Sequence, residues 1–216
     1  MLVRFTPIVA LLVSTCTIAA APVADRQAIE VQGVLTVQLA LTDLKLRAGN
    51  NADVIDMTTD MLAGQPGEWH ALAYRGIAYA RTDRQAQADA DFAAADAGAG
   101  GNANARAFLC GIKAGNNVAL ESALADCDTA LKIDPDLPAA LGNRGFVLLR
   151  LGRYPESVAA FDHALAVRPN WADSLYGRGL AKRRLGKDAE AVADIAAAKA
   201  IKPQIDKQYG PYGVKD

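Results

Sequence analysis

Three sets of residues recur at one period. Gly111, Gly145 and Gly179 are spaced by 34 residues, as are Ala130, Ala164 and Ala198 and also Pro135, Pro169 and Pro203. A period of this length belongs to helical repeat arrays, in which one unit cannot bury its own apolar face and must stack on copies of itself. The clearest copy, LGNRGFVLLRLGRYPESVAAFDHALAVRP over residues 141–169, reads as two short amphipathic helices. Gly152 ends the first, Pro155 opens the second, and Phe161, Ala164, Leu165 and Val167 form the second helix's buried stripe. Few aromatics, alanine-rich segments at helical spacing and scarcely any strand-like alternation point to an all-α chain.

Counting along the period divides the chain. Residues 22–68 hold N-terminal helices, the second part of which, 35–68, reads as a worn first copy with Gly49 in its turn. Residues 69–203 hold four copies, 69–103, 104–137, 138–171 and 172–205, and residues 204–216 form a capping tail with a short helix over 204–209. One extra residue near Gly98-Ala99-Gly100-Gly101 makes the step from Gly76 to Gly111 equal to 35, and the turn at Gly115-Asn116-Asn117 comes early, so 104–137 is a full-length but altered copy.

Leu72, Gly76, Tyr79, Ala88 and Phe92 in one copy, and Leu141, Gly145, Phe161, Ala164 and Pro169 in the best one, resemble the tetratricopeptide repeat family. Cys127 and Ile195 depart from the pattern in its second aromatic slot, and Ser157 in an alanine slot. The resemblance implies a right-handed superhelical array of antiparallel helix pairs, an α-α solenoid. It also implies that the first helix of each copy lines a concave groove. The groove residues are then His70, Ala73, Ile77 and Arg81, then Phe108 and Ile112, then Gly142, Phe146, Leu149 and Arg150, and then Asp173, Tyr176, Leu180, Arg183 and Arg184. Their character is an apolar floor with one basic rim, suited to a peptide with hydrophobic anchors and carboxylates. The family's clamp for C-terminal carboxylates is not implied. Asn143 matches one member of it, but Asp173 and Gly177 stand where the clamp has basic residues.

Residues 1–21 read as a secretory signal peptide: Arg4 is the positive region, Phe5 to Ile18 carry no charge, and Ala19-Ala20-Ala21 offers cleavage after Ala20 or Ala21. A lipid anchor at Cys16 is the lesser alternative, since Thr15 makes a poor lipobox. Pro7 and the short apolar run count against a spanning helix. The expected location is therefore the periplasm or the exterior. Cys110 and Cys127 could pair there, but each is read as lying in a slot that other copies fill with packing residues, which favours two small buried hydrophobes.

A net charge of −1 and no basic stripe with interleaved aromatics give no case for nucleic acid. His70 and His163 belong to no nucleophile or metal motif, and the glycines follow no strand, so neither catalysis nor a bound cofactor or metal is expected. The run Arg178, Lys182, Arg183, Arg184 and Lys187 reads as a solvated helix end, with an anion-facing role as the lesser alternative. The leading expectation is a non-catalytic scaffold that binds a protein or peptide segment and has no transmembrane segment in its mature form. The alternative is a structural subunit of an envelope assembly held by the convex surface. Because the floor residues would together expose a large apolar area, something should shield them. Residues 24–48 are the first candidate for a lid. The C-terminal tail, through Tyr209 and Tyr212, is the second.

Overall fold

The computed structural model describes residues 23–209, with side chains from residue 33 onward. The expected signal peptide, Cys16 and Tyr212 lie outside the described residues. Among these residues every regular element is a helix, as the period predicts. The described residues fall into two compact units, which divide between Phe92 and Ala93.

In the first unit, α1 (Val23–Arg47), α2 (Asn51–Gly64) and α3 (Trp69–Ala80) precede α4 (Gln85–Ala99), within which the unit ends. Within this unit α1 is a structural layer. It packs on α2 and α3, buries Leu35, Thr42 and Leu46, and receives at the Leu46 carbonyl a 2.7 Å hydrogen bond from the Arg81 guanidinium. Gly76 is needed where α3 meets α4, because a Cβ there would lie 2.8 Å from the Phe92 ring. Arg75 beside it makes a two-pronged bond to Asp91, both contacts at 2.8 Å.

The second unit continues with α5 (Ala103–Asn116), α6 (Leu120–Ile133), α7 (Pro138–Arg150), α8 (Tyr154–Val167), α9 (Ala172–Arg184), α10 (Asp188–Ile201) and the single turn α11 (Ile205–Tyr209). Each odd-numbered helix from α5 to α9 packs on the helix that follows it, and α5, α7 and α9 also pack on one another in sequence. This makes a row of first helices backed by second helices. The close approach of each pair rests on small residues: at Gly145 a Cβ would meet the buried Phe161 ring at 2.6 Å, and at Gly179 it would meet Ile195 at 2.7 Å. Ser157 fits its alanine slot because its buried hydroxyl donates to the Gly145 carbonyl at 2.8 Å.

The first helices end alike. Gly49, Asp83, Asn117, Gly152 and Gly186 all have positive φ. After each, the next amide bonds back to a carbonyl five residues earlier, as Arg153 does to Leu148 at 2.9 Å and Lys187 to Lys182 at 3.0 Å.

The pair α5/α6 differs from the others. Cys110 and Cys127 are both fully buried, as expected, but they form a disulfide rather than packing as free thiols. The slot of Cys110 is not a packing slot. The recurrence puts Arg75, Arg144 and Arg178 there, each followed by its glycine, and puts Phe92, Phe161 and Ile195 opposite Cys127. These slots face each other across the helix pair with Cα atoms 5.4 Å apart, within reach of a disulfide.

Candidate binding surface

The candidate surface lies on α7 and α9 in the second unit, and its residues come together because three small residues let aromatic rings settle between the helices. Gly142 leaves room for the Trp171 indole, which a Cβ would approach to 2.8 Å, and Gly177 leaves room for the Phe161 ring, with which such a Cβ would collide. Phe161, admitted also by Gly145, supports Phe146 edge-on, with centroids 5.1 Å apart. On the other side of Phe146 lies the chain's own C-terminal segment. The Tyr209 ring stacks on Phe146 at 4.8 Å and on Tyr176 at 5.5 Å, nearly parallel to both. Its hydroxyl donates to Asp173 at 2.8 Å. Ile205, on the same short helix, is fully buried in the cluster of Leu165, Tyr176 and Leu180, against which Leu149 also packs.

Asp173 is the polar centre. Besides the Tyr209 hydroxyl it accepts from the Gln208 amide and from the Trp171 indole, each at 3.2 Å, and Lys202 stands 3.5 Å away. The two departures from the carboxylate clamp therefore have local reasons. Asp173 receives a phenol, and Gly177 is held small by Phe161. Asn143 is engaged in packing, donating to the Ala107 carbonyl at 2.8 Å.

The other expected groove residues divide by burial. Ile77 and Arg81 belong to the first unit, where Ile77 is fully buried. In the second, Tyr176 and Leu180 are 1% and 4% exposed, so they form the base on which others lie rather than a free surface. Phe108, Ile112, Phe146, Leu149 and Arg183 are half-buried, and Arg184 is exposed. Arg150 reaches the Gly115 carbonyl at 3.3 Å, and burial lowers its pKa from the usual guanidinium value.

Part of the basic run faces the second helices instead of this surface. Arg178 binds Asp162 at 2.7 Å and Asp194 at 2.6 Å, and Lys182 binds Asp194 at 2.9 Å. His70 pairs with Glu68 and stacks on Trp69, while His163 is exposed beside Asp136 at 3.1 Å. Among the described residues no group of three His, Cys, Asp or Glu side chains is placed to hold a metal, and no helix is long and apolar enough to cross a membrane.

The sequence pattern did not reveal the role of Trp171. Its signal is a large aromatic 29 residues after Gly142, which acquires meaning only once both helices are placed.

Residues 138–171, the helix pair carrying Gly142, Gly145 and Phe161, match the family model described as tetratricopeptide repeat. No curated protein sequence matches the chain. Among solved structures, TTC0263, a thermophilic TPR protein of Thermus thermophilus, is 17% identical with a TM-score of 0.61, over 83% of this chain and 97% of that one. MamA is 18% identical with a TM-score of 0.51, over 77% and 96%. YrrB, a TPR protein with an unusual peptide-binding site, is 16% identical with a TM-score of 0.50, over 82% and 89%. At these identities the likeness concerns the fold alone. The chain thus has the all-α solenoid fold of tetratricopeptide repeat proteins, and its segment 138–171 matches the repeat model of that family.

Proposed function

We propose that the chain is a non-catalytic, exported scaffold that holds a peptide or protein segment on the α7 and α9 surface. Of four repeats read over residues 69–203, the last two would carry that surface, with N-terminal helices before the repeats and a capping tail after. One observation carries the reading: a segment of polypeptide, Tyr209 with its neighbours, already lies on Phe146 and Tyr176 and bonds to Asp173. A surface that holds one aromatic anchor in this way has the chemistry to hold another. The peptide-binding site of YrrB, which shares the fold, supports the same use. The Cys110–Cys127 disulfide supports export to the periplasm or envelope, since such bonds persist in oxidising compartments.

The alternative, a structural subunit joined through second helices, is favoured by Ile133, Val167 and Ile201. These recur at 34-residue spacing at the ends of α6, α8 and α10, and all three are exposed, so Val167 lies outside the buried stripe in which the sequence pattern puts it. A photoreactive residue at position 112 of the full chain, expressed in its own cells, separates the two readings. Binding on the first helices predicts a discrete cross-linked partner that Phe146→Asp abolishes and Val167→Asp leaves in place. The reverse pattern supports the alternative. N-terminal sequencing of exported protein should begin at Ala21 or Pro22, and an intact Met1 would refute export.

A further inference from the structure

Resting on that reading, we infer that the α7 and α9 surface recognises a partner peptide through an unmodified tyrosine, and that the chain's own Tyr209 holds this subsite until such a peptide displaces it. Three features of the site select a phenol. Phe146 and Tyr176 offer two flat faces to one ring, with centroids 4.8 and 5.5 Å away, an arrangement that rewards any aromatic. Asp173 then separates tyrosine from phenylalanine, because the hydroxyl it accepts at 2.8 Å is a hydrogen bond to a charged group. The same carboxylate, its side chain only 23% exposed and its charge offset only in part by the half-exposed Lys202 at 3.5 Å, repels a phosphorylated tyrosine or a C-terminal carboxylate, which adds exclusion to attraction in setting specificity.

The tail is built to yield at this point. Ile205 is fully buried in the core and anchors the start of α11, whereas Tyr209, four residues on, ends the short helix and is half-buried. Tyr209 can leave without removing Ile205. Tethered so closely, it competes at an effective concentration of order millimolar, which masks the site from a weak soluble peptide.

The test uses the full chain and a labelled, C-terminally amidated peptide of residues 202–209, KPQIDKQY, followed by fluorescence anisotropy. The Tyr209→Ala chain should bind this peptide at least ~10-fold more tightly than the unmodified chain, because the tethered competitor is gone. On the Tyr209→Ala chain, replacing the peptide's tyrosine by phenylalanine should weaken binding by roughly 5-fold or more, phosphotyrosine should weaken it further, and adding Asp173→Ala should erase the tyrosine preference. Tyr209→Phe, which keeps the ring stacked, should give a smaller gain in the same direction and serves if Tyr209→Ala does not fold. Equal affinity of the parent and both variants, or equal binding of the tyrosine and phenylalanine peptides, overturns the inference and leaves the binding face standing. Cross-linking at position 112 that persists unchanged in Phe146→Asp overturns the binding face itself.

Discussion

The helix pairs α5/α6 and α7/α8 solve the same packing problem with different chemistry. In α7/α8, Gly145 admits the Phe161 ring and Arg144 turns outward to Asp128 at 2.8 Å, an ion pair in which Asp128 is 44% exposed. In α5/α6 the corresponding residues are Cys110, Gly111 and Cys127, and a covalent bond replaces the ring. The freed space at Gly111 goes to Asn143 of the next first helix, whose amide nitrogen a Cβ would approach to 2.5 Å. The ion pair moves inside. Lys113, fully buried, bonds to Asp126 at 2.7 Å, Ser122 at 2.9 Å and Asp96 at 3.0 Å, and Arg106 joins Asp126 at 2.8 Å. One backbone arrangement therefore tolerates either shape complementarity with a solvated ion pair, or a cross-link with a buried one. The second choice is fragile, because each buried charge depends on its partners.

The largest effect should come from breaking that buried cluster. Lys113→Met is expected to cost about 3–5 kcal/mol, since it leaves the Asp126 carboxylate, 2% exposed, short of a cation. Arg144→Met should cost under about 1 kcal/mol, because a solvated pair is worth little. Urea unfolding followed by Trp171 fluorescence, with Trp69 replaced by phenylalanine, reads the second unit. Equal losses in the two variants would dissolve the contrast.

Next comes the cross-link. Cys110→Ala with Cys127→Ala should lower stability by about 3 kcal/mol, the scale for a loop of this length, and a reductant should do the same to the parent chain. Gly145→Ala, at the matching place in α7/α8, should cost about 1–3 kcal/mol by forcing a methyl group against Phe161. If reductant changes nothing, the ion cluster alone holds α5 to α6.

What the period made legible explains which of these features could be read without coordinates. Gly145 and Gly179 announce their role because the close approach recurs, and the turn at Gly49 follows from counting back. Lys113 could not be found that way: its slot holds Val147 and Ala181 in later copies, and one of its partners, Asp96, lies on the preceding helix. The disulfide was within reach of the sequence, since Cys-Gly stands where the other copies have Arg-Gly, but comparison with packing residues hid it. Tyr209 on Phe146 joins residues 63 apart through no local pattern, so the sequence offers the tail only as the second candidate cover, after residues 24–48, and does not name its seat. The apolar floor was overdrawn for a physical reason: α9 packs on both α7 and α10, which buries Tyr176 and Leu180.

The charge clusters should also differ in their answer to acid. Burial alone would raise the pKa of Asp194, but hydrogen bonds and attraction from Arg178 and Lys182 outweigh it and hold the carboxyl below its usual value. Its contribution is therefore present above the unfolded value, about 4, and is lost as pH falls through the folded one. Asp96 goes the other way. Burial raises its pKa against the pull of Lys113, so its contribution is present below about 4 and lost as pH rises through the higher folded value. Asp194→Asn should flatten the decline of stability on acidification below about pH 4, and Asp96→Asn should alter only the window above it. Identical pH profiles for the two variants would show that both carboxylates sit in equivalent surroundings.

The smallest effect carries the opposite sign and lies inside the disulfide loop. The interval from Gly145 to the left-handed Gly152 is seven residues, but from Gly111 to Asn117 it is six, and α5/α6 recovers the lost residue in its turn. That turn needs a second left-handed residue, Ala119, with φ of 46°, and Ala119 is also the N-cap of α6 with no side-chain bond to offer. A Cβ in this conformation costs about 1–2 kcal/mol. Glycine removes that strain and serves better as an N-cap, at the expense of a more flexible unfolded chain. Ala119→Gly should therefore stabilise the second unit by about 0.5–1 kcal/mol. Gly152→Ala, with φ of 73° in the regular pair, should destabilise it by about 1 kcal/mol. Urea midpoints measured side by side decide the matter. If Ala119→Gly also destabilises, the extra turn residue is held by its side chain, and the strain assigned to its backbone is absent.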